Sequence, residues 1–296
     1  MAEIKSLIIG TRGSKLALVQ AQLVADALTA GHPGIAVQIK AIVTKGDLNQ
    51  APIPLDTIGK NWFTAEIEQA LLKGDIDIAV HSLKDLPPET PEGIITIPVL
   101  ERADPRDVLI SKSGLLLADL PHGAVIGTDS IRRKILLKER RSDLTVRSIR
   151  GNVDTRLKKL ADEDYDALVL AAAGLARVGI SSVITEFLDP AVFIPAIGQG
   201  ALAAQVRKDR AELLEAVHGI EHAPTRIAAE AEQAFSTTVG GGCKLPIGCY
   251  ARVEGDRITI DGFIGNADSY IIARKSTHGP ARDGIRLAEE LAKELL

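Results

Sequence analysis

The apolar run Ser6–Thr11 (SLIIGT) stops at Gly10-Thr11-Arg12-Gly13-Ser14, after which Leu16, Val19, Leu23 and Ala27 recur at helical spacing. This pattern predicts a strand, a turn and a helix, with Ser14 as the N-cap beside Arg12. Ile35 to Val43 predicts a second strand, Ala65 to Leu72 a helix and Asp77 to Val80 a third strand, which runs into HSLKDLPP at 81–88. Between them, 44–61 is polar, proline-bearing and without periodicity, the pattern of a long mobile loop. Ile94 to Leu100 and Val108 to Ser111 are further strands, separated by the polar crossing Glu101–Asp107.

The middle third repeats this layout. Strands are predicted over 124–128, 145–149 and 166–172, and the turns after the first two enter helices, with Asn152 as an N-cap. A second crossing, Phe193 to Ala201, is rich in Pro and Gly and takes the chain back to the first unit. From about Ala223 a helix leads to GGGCKLPIG at 240–248, three alternating strands and an amphipathic helix through Leu287, Leu291 and Leu295. The chain therefore reads as α/β, two sheet units joined by two crossings, with a small α+β domain at the end.

Composition narrows the function. Hydrophobic residues make up 46% and charged residues 25% of 296, ordinary values for a globular chain. The longest apolar run, Ala167 to Ala173, is far short of a membrane span. The opening MAEIK lacks a signal-peptide layout, so a cytoplasmic protein is expected. Net charge is only −4, but between Arg132 and Lys159 eleven Lys and Arg side chains stand against Glu139, Asp143 and Asp154. That local excess predicts an anion site. With aromatic residues at only 3%, no stacking platform accompanies it, and nucleic acid is not expected as a partner. The pair His218 and His222 is interrupted by Gly219 and has no third ligand nearby, so no metal is expected.

The candidate chemistry lies at predicted strand ends. Arg12, Arg132, Arg133, Arg150, Arg156 and Arg177 all fall at or just past one, and in open α/β sheets those ends converge on a cleft. Guanidinium forks bind carboxylates bidentately, so a ligand with several carboxylates is the natural match. Taken singly, each arginine is more readily a solvated surface group; it is their repetition at strand ends that argues for a site. Asp85 stands at a strand end in the same cleft, suited to a developing cation; an exposed pair with Lys84 would be the plainer reading. Cys243 follows three glycines that let a bulky group approach the backbone, although an incidental thiol in a Gly-rich turn fits the spacing equally well.

Eight stretches in order, TRGSKLAL (11–18), HSLKDLP (81–87), ERADPRD (101–107), GTDSIRR (127–133), RSIRGNVDTRL (147–157), LAAAGLARVG (170–179), PAIGQGAL (195–202) and GGGCKLPIG (240–248), resemble the hydroxymethylbilane synthase (porphobilinogen deaminase) family. The resemblance implies two periplasmic-binding-protein-like (type II) domains with a hinge, over 1–100 with 198–219 and over 101–197. A third domain over 220–296 would carry the cofactor cysteine. It implies a dipyrromethane held by a thioether on Cys243 and four porphobilinogens added head to tail with loss of ammonia, after which water releases hydroxymethylbilane. Asp85 would be the catalytic carboxylate. Arg12, Ser14, Lys84, Asp85, Thr128, Ser130, Arg132, Arg133, Arg150 and Arg156 would bind the cofactor. Arg12, Arg150, Arg156, Arg177, Gln199 and Lys60 would bind substrate, Lys60 from the loop. The chain departs from the family pattern in that loop and at Asp129, where a second serine is common. A monomer with porphobilinogen as its partner is expected. The alternative is a carboxylate-binding protein of the solute-receptor class.

Overall fold

The structure is a computed structural model that describes residues 4–48, 62–240, 246–267 and 269–296. The first part of the chain forms β1 (Ser6–Arg12), α1 (Lys15–Gly31), β2 (Ala36–Ile42), a short α2 (Lys45–Leu48), α3 (Ala65–Lys73), β3 (Ile78–Ser82) and β4 (Ile94–Val99). The next part forms β5 (Asp107–Ser111), β6 (Val125–Gly127), α4 (Ile131–Arg140), β7 (Thr145–Arg147), α5 (Val153–Asp162), β8 (Ala167–Ala171), α6 (Ala172–Arg177) and β9 (Glu186–Phe187). The remainder forms β10 (Leu202–Arg207), α7 (Ala211–His218), α8 (Ala223–Thr238), β11 (Ile247–Glu254), β12 (Arg257–Gly265), β13 (Ile272–Pro280) and α9 (Gly284–Leu295).

These strands make two five-stranded sheets of matching order, β2-β1-β3-β10-β4 and β7-β6-β8-β5-β9, and a three-stranded antiparallel sheet β11-β12-β13. The architecture is α/β with a small C-terminal α+β unit, as the periodicity predicts. Both large sheets are mixed. β1 pairs in parallel with β2 and β3, but β10 runs antiparallel to β3 and β4; in the second sheet β5 runs antiparallel to β8 and β9. The antiparallel strand in each sheet is the one that enters it from a crossing. Four elements have no counterpart in the sequence reading: α6, β9, β10 and α7. The short α2 falls at the start of the segment read as loop; its 49–61 part, including Lys60, lies outside the described residues.

Local chemistry explains the helix starts. Ser14 caps α1 by accepting from the Ala17 amide at 3.3 Å, Ser130 caps α4 by accepting from the Arg133 amide at 3.4 Å, and Asn152 caps α5 by accepting from the Thr155 amide at 2.8 Å. α1 buries Ala17, Ala21, Val24, Ala25 and Leu28, a stripe that packs with α7 on one face of the first sheet, while α3 covers the other face through Ile67 and Leu71. Leu136 and Leu137 of α4 and Leu160 of α5 help to build the cores of the second sheet. Phe235 of α8 and Leu287 and Leu291 of α9 close the third.

The two crossings pack on each other. The Ala103 amide donates to the Gly200 carbonyl at 3.2 Å; Gly200 has φ +89°, and a Cβ there would stand 2.3 Å from the Ala103 oxygen. Only glycine fits both demands. Gly248, at the start of β11, approaches the Ile194 and Pro195 carbonyls so closely that a Cβ would lie 2.9 Å from each. The third sheet is thereby seated against the second crossing.

Candidate functional site

The ends of β1, β3, β6, β7 and β8 deliver the candidate residues to a cleft. Arg12 is the last residue of β1 and Ser14 caps the helix after it. Lys84 and Asp85 lie in the 3₁₀ turn Leu83–Asp85 directly after β3. Thr128 and Ser130 form the turn between β6 and α4, Arg132 and Arg133 occupy the first turn of α4, Arg150 follows β7, and Arg156 lies in α5. Arg177 closes α6, a helix beyond the end of β8. Because β5 and β10 run against their neighbours, their first residues rather than their last reach this edge: Asp107 pairs with Ala171, and Leu202 with Ser82.

Asp107 is the residue that the sequence reading missed. It is wholly buried. Its Oδ1 accepts from Arg133 Nε at 3.0 Å, Arg133 Nη2 at 2.8 Å and Gln199 Nε2 at 2.9 Å, and its Oδ2 lies 2.7 Å from Arg132 Nη1. Burial opposes ionisation of this carboxyl, but the Arg132 and Arg133 charges outweigh it and hold Asp107 far below the usual carboxylate range. Burial in turn lowers the Arg132 pKa, against the pull of Asp107. Arg132 Nη1 also donates to the Ile194 carbonyl at 2.8 Å and Arg133 Nη1 to that of Val169 at 3.0 Å. Arg132 Nε is buried and has no hydrogen-bond partner among the described residues.

Gln199 joins this cluster to the first sheet. It is 1% exposed; its Nε2 also donates to the Pro105 carbonyl at 2.6 Å, and its Oε1 accepts from Lys84 Nζ at 3.3 Å. Lys84 presents surface to the cleft, yet protein packed around its ammonium pushes its pKa down to about 8, with Asp85 partly opposing the shift. The Arg156 pKa is likewise lowered by burial and then by Arg133, while Asp129 and Asp85 raise it. Arg156 thus feels charges from both sheets, Arg133, Arg150 and Asp129 from the second and Asp85 from the first.

The other arginines have distinct partners. Arg12 makes a two-pronged ion pair with Asp47 and stacks 4.3 Å over Phe63. Arg150 Nε stands 3.0 Å from Asp129 Oδ2. Arg156 Nε donates to the Gly151 carbonyl at 2.8 Å, and Arg177 Nη2 to the Gly200 carbonyl at 2.6 Å, so Arg177 reaches the second crossing. Burial brings the Arg177 pKa down to about 10. Neither Arg156 nor Arg177 has a carboxylate partner among the described residues. Asp85 has neither a hydrogen bond nor an ion pair among them. Arg12, Ser14, Phe63, His81, Ser82 and Asp85 border one pocket at the end of the first sheet.

Cys243 lies outside the described residues, as do Gly241, Gly242, Lys244 and Leu245. Cys249, the second cysteine, is buried in the third core, and burial pushes its thiol well above the ordinary value. It is unsuited to nucleophilic attack.

Comparison with known proteins identifies the family over nearly the whole chain. Residues 7–215 match the family described as porphobilinogen deaminase, dipyromethane cofactor binding domain, and residues 226–296 match the porphobilinogen deaminase C-terminal domain. The chain is 48% identical over 292 residues to the porphobilinogen deaminase of Roseiflexus castenholzii, covering 98% of this chain and 96% of that one. It is 44% identical over 298 residues to that of Nitratidesulfovibrio vulgaris, covering 99% and 94%. Identity at this level, over both the arginine-lined cleft and the small domain behind it, places the chain in the porphobilinogen deaminase family.

Proposed function

We propose that this protein is a hydroxymethylbilane synthase, joining four porphobilinogens head to tail with loss of ammonia and releasing the linear product to water. The observation that carries the mechanism is the difference between Asp85 and the other carboxylates of the cleft. Asp47, Asp107 and Asp129 are each committed to an arginine. Asp85 is not; it borders a pocket with Arg12 and acts electrostatically on Lys84 and Arg156. A receptor for carboxylates would gain nothing from a free carboxylate there, since it would repel the ligand. A synthase that passes through a cation needs one.

The residues present fit a dipyrromethane. Its acetate and propionate groups suit guanidinium forks at strand ends, and Arg132 Nε is a buried N–H that a ligand carboxylate would satisfy. Arg12, Ser14, Lys84, Thr128, Ser130, Arg132, Arg133, Arg150 and Arg156 would hold the cofactor, with Cys243 as its covalent anchor. When bound, the group supplies the free pyrrole carbon to which substrate is added. Arg12, Arg150, Arg156 and Arg177, with Lys60 from the loop, would hold substrate carboxylates. Gln199 would serve substrate through Lys84 and Arg133, since its own amide is buried and fully engaged. Loss of ammonia from porphobilinogen leaves a cationic pyrrole; Asp85 stabilises that charge and accepts hydrogen bonds from pyrrole N–H groups. Its effect is largest when the cation exists, so it lowers the barrier more than it tightens substrate binding.

The division into 1–100 with 198–219, 101–197 and 220–296 belongs to the same proposal, as do a monomeric state and a cytoplasmic setting. Among the described residues, no helix is long and apolar enough to cross a membrane. The test is bilane formation by Asp85→Asn and Asp85→Glu at matched cofactor content. Asn should lose roughly 10²-fold or more in turnover, the scale of deleting one preorganised electrostatic group, and Glu should retain more. An Asn variant as active as the Glu variant would make Asp85 a positioning residue and remove the electrostatic account.

A further inference from the structure

The guanidinium of Arg12 is held on one edge and on one face. Its Nε donates to Asp47 Oδ1 at 3.1 Å, and its Nη2 donates to the same oxygen. The other oxygen of Asp47 accepts from the Thr44 hydroxyl at 2.7 Å and from the Thr44 amide at 3.2 Å, and Thr44 is wholly buried. The carboxylate is thus fixed by the turn that opens α2. Burial opposes its ionisation, but hydrogen bonds from Arg12 and Thr44 outweigh that and keep Asp47 below the ordinary carboxylate range. The face of Arg12 stacks 4.3 Å over the Phe63 ring, and Gly46 stands so close to the same ring that a Cβ would lie 2.2 Å from it. The Gly46 amide donates to the Trp62 carbonyl at 2.8 Å, so ring and carboxylate belong to one packed unit. Arg12 and Phe63 border the pocket beside Asp85, and Asp47 does not.

A guanidinium can grip a carboxylate along two edges, Nε with one terminal nitrogen or the two terminal nitrogens together. Asp47 takes the first and leaves the Nη1–Nη2 edge. We propose that Asp47 is a positioning residue for substrate: fixed by Thr44, it holds one edge of Arg12 so that the other is presented, already ordered, to a carboxylate in the pocket beside Asp85. This rests on the reading of that pocket as the place of a carboxylate-bearing pyrrole. Two opposite effects compete. A side chain with as many rotatable bonds as arginine loses much freedom when its ligand must order it, and Asp47 with Phe63 removes that cost before binding. The Asp47 charge repels a ligand carboxylate, but it lies on the far edge of Arg12 with its side chain 26% exposed, so water and salt screen it. Ordering therefore outweighs repulsion, and Asp47 aids binding although its charge has the same sign as the ligand's.

The test is a double-mutant cycle in the holoenzyme: Asp47→Ala, Arg12→Lys and the two together, at matched cofactor content, with KM and kcat for porphobilinogen read separately. Lysine keeps the charge but has no second edge for Asp47 to orient. Asp47→Ala should raise KM by about three- to ten-fold, the scale of one or two hydrogen bonds, with kcat changed less. In the Arg12→Lys background the same substitution should change KM by less than about two-fold, whereas a loss of packing alone would act equally in both backgrounds. Thr44→Val removes the hydroxyl bond to Asp47 at a residue that does not border the pocket. It should raise KM in the same direction by a smaller factor, a result that does not depend on loading Arg12→Lys with cofactor. The proposal is overturned if Asp47→Ala leaves KM unchanged, if it lowers KM (Asp47 would then compete with substrate), or if its effect is as large in the Arg12→Lys background. Failure of the functional reading looks different: the wild type itself would yield no bilane from porphobilinogen.

Discussion

His81 and Lys84, three residues apart at the end of β3, give the cleft two pH signatures of opposite origin. His81 is 6% exposed, and burial lowers its pKa to about 4 from an ordinary value of 6.5. The unfolded chain therefore gains a proton before the folded one does. The stability due to the neutral, buried imidazole is complete above about pH 6.5 and is lost as pH falls towards 4, in total about 3 kcal/mol. Chemical denaturation of the wild type and of His81→Gln at pH 7 and pH 4.5 checks this: the variant should lose less stability over the interval. In the proposed function Lys84 acts on ligands. Its ammonium is lost as pH rises through about 8, so KM for porphobilinogen should climb above that pH, and Lys84→Arg should move the rise to higher pH.

At this scale the sequence was legible where the chemistry is local. Ser14 and Asn152 cap their helices because an N-cap needs only a short polar side chain and an amide three residues on. Asp107 was not legible. Its partners Arg133 and Gln199 lie 26 and 92 positions away, and within ERADPRD it looks like any polar residue of a crossing.

At the scale of elements, the helix α8 carries more than its packing face. Glu232 is wholly buried; it takes both prongs of Arg102 from the first crossing, the Gly198 amide from the second at 2.6 Å and the Ala251 amide of β11 at 2.9 Å. One carboxylate joins both crossings to the third sheet. Glu232→Gln should cost about 3–5 kcal/mol, because Arg102 would be left as a nearly buried cation without its partner. Denaturant titration measures it, and a loss under 1 kcal/mol would mean that the crossings are held by packing alone. Parallel strands with apolar runs, such as Ile78–Ser82, could be read from the sequence because burial on both faces leaves a continuous signal. β10 could not. Its sequence LAAQVR is buried up to Val206 but is interrupted by Gln205, whose amide donates to Glu68 at 3.1 Å. Only the tertiary contact makes that glutamine an interior residue. The antiparallel sense of β5 and β10 is equally a property of the crossings, since it depends on the direction from which each strand arrives.

For the whole molecule, the two sheets are joined by one set of crossings, and Arg132 and Arg133 of α4 are anchored to Asp107, the first residue of the strand that leaves the first crossing. Asp107, Gln199 and Lys84 make a continuous polar path from the second sheet to the first. The arginines should accordingly be needed to load the cofactor as well as to use it. Arg132→Leu and Arg133→Leu should each be recovered mostly as apoenzyme, seen by intact mass; full loading of both would count against carboxylate binding by this pair. The central claim, a primer built from substrate and held on one thiol, is tested most directly by the intact mass of the purified protein beside that of Cys243→Ser and Cys249→Ser. The account predicts an excess of one dipyrromethane over the sequence mass, kept in Cys249→Ser and absent from Cys243→Ser. A wild-type mass equal to that of the bare chain, or an excess that survives Cys243→Ser, would contradict it.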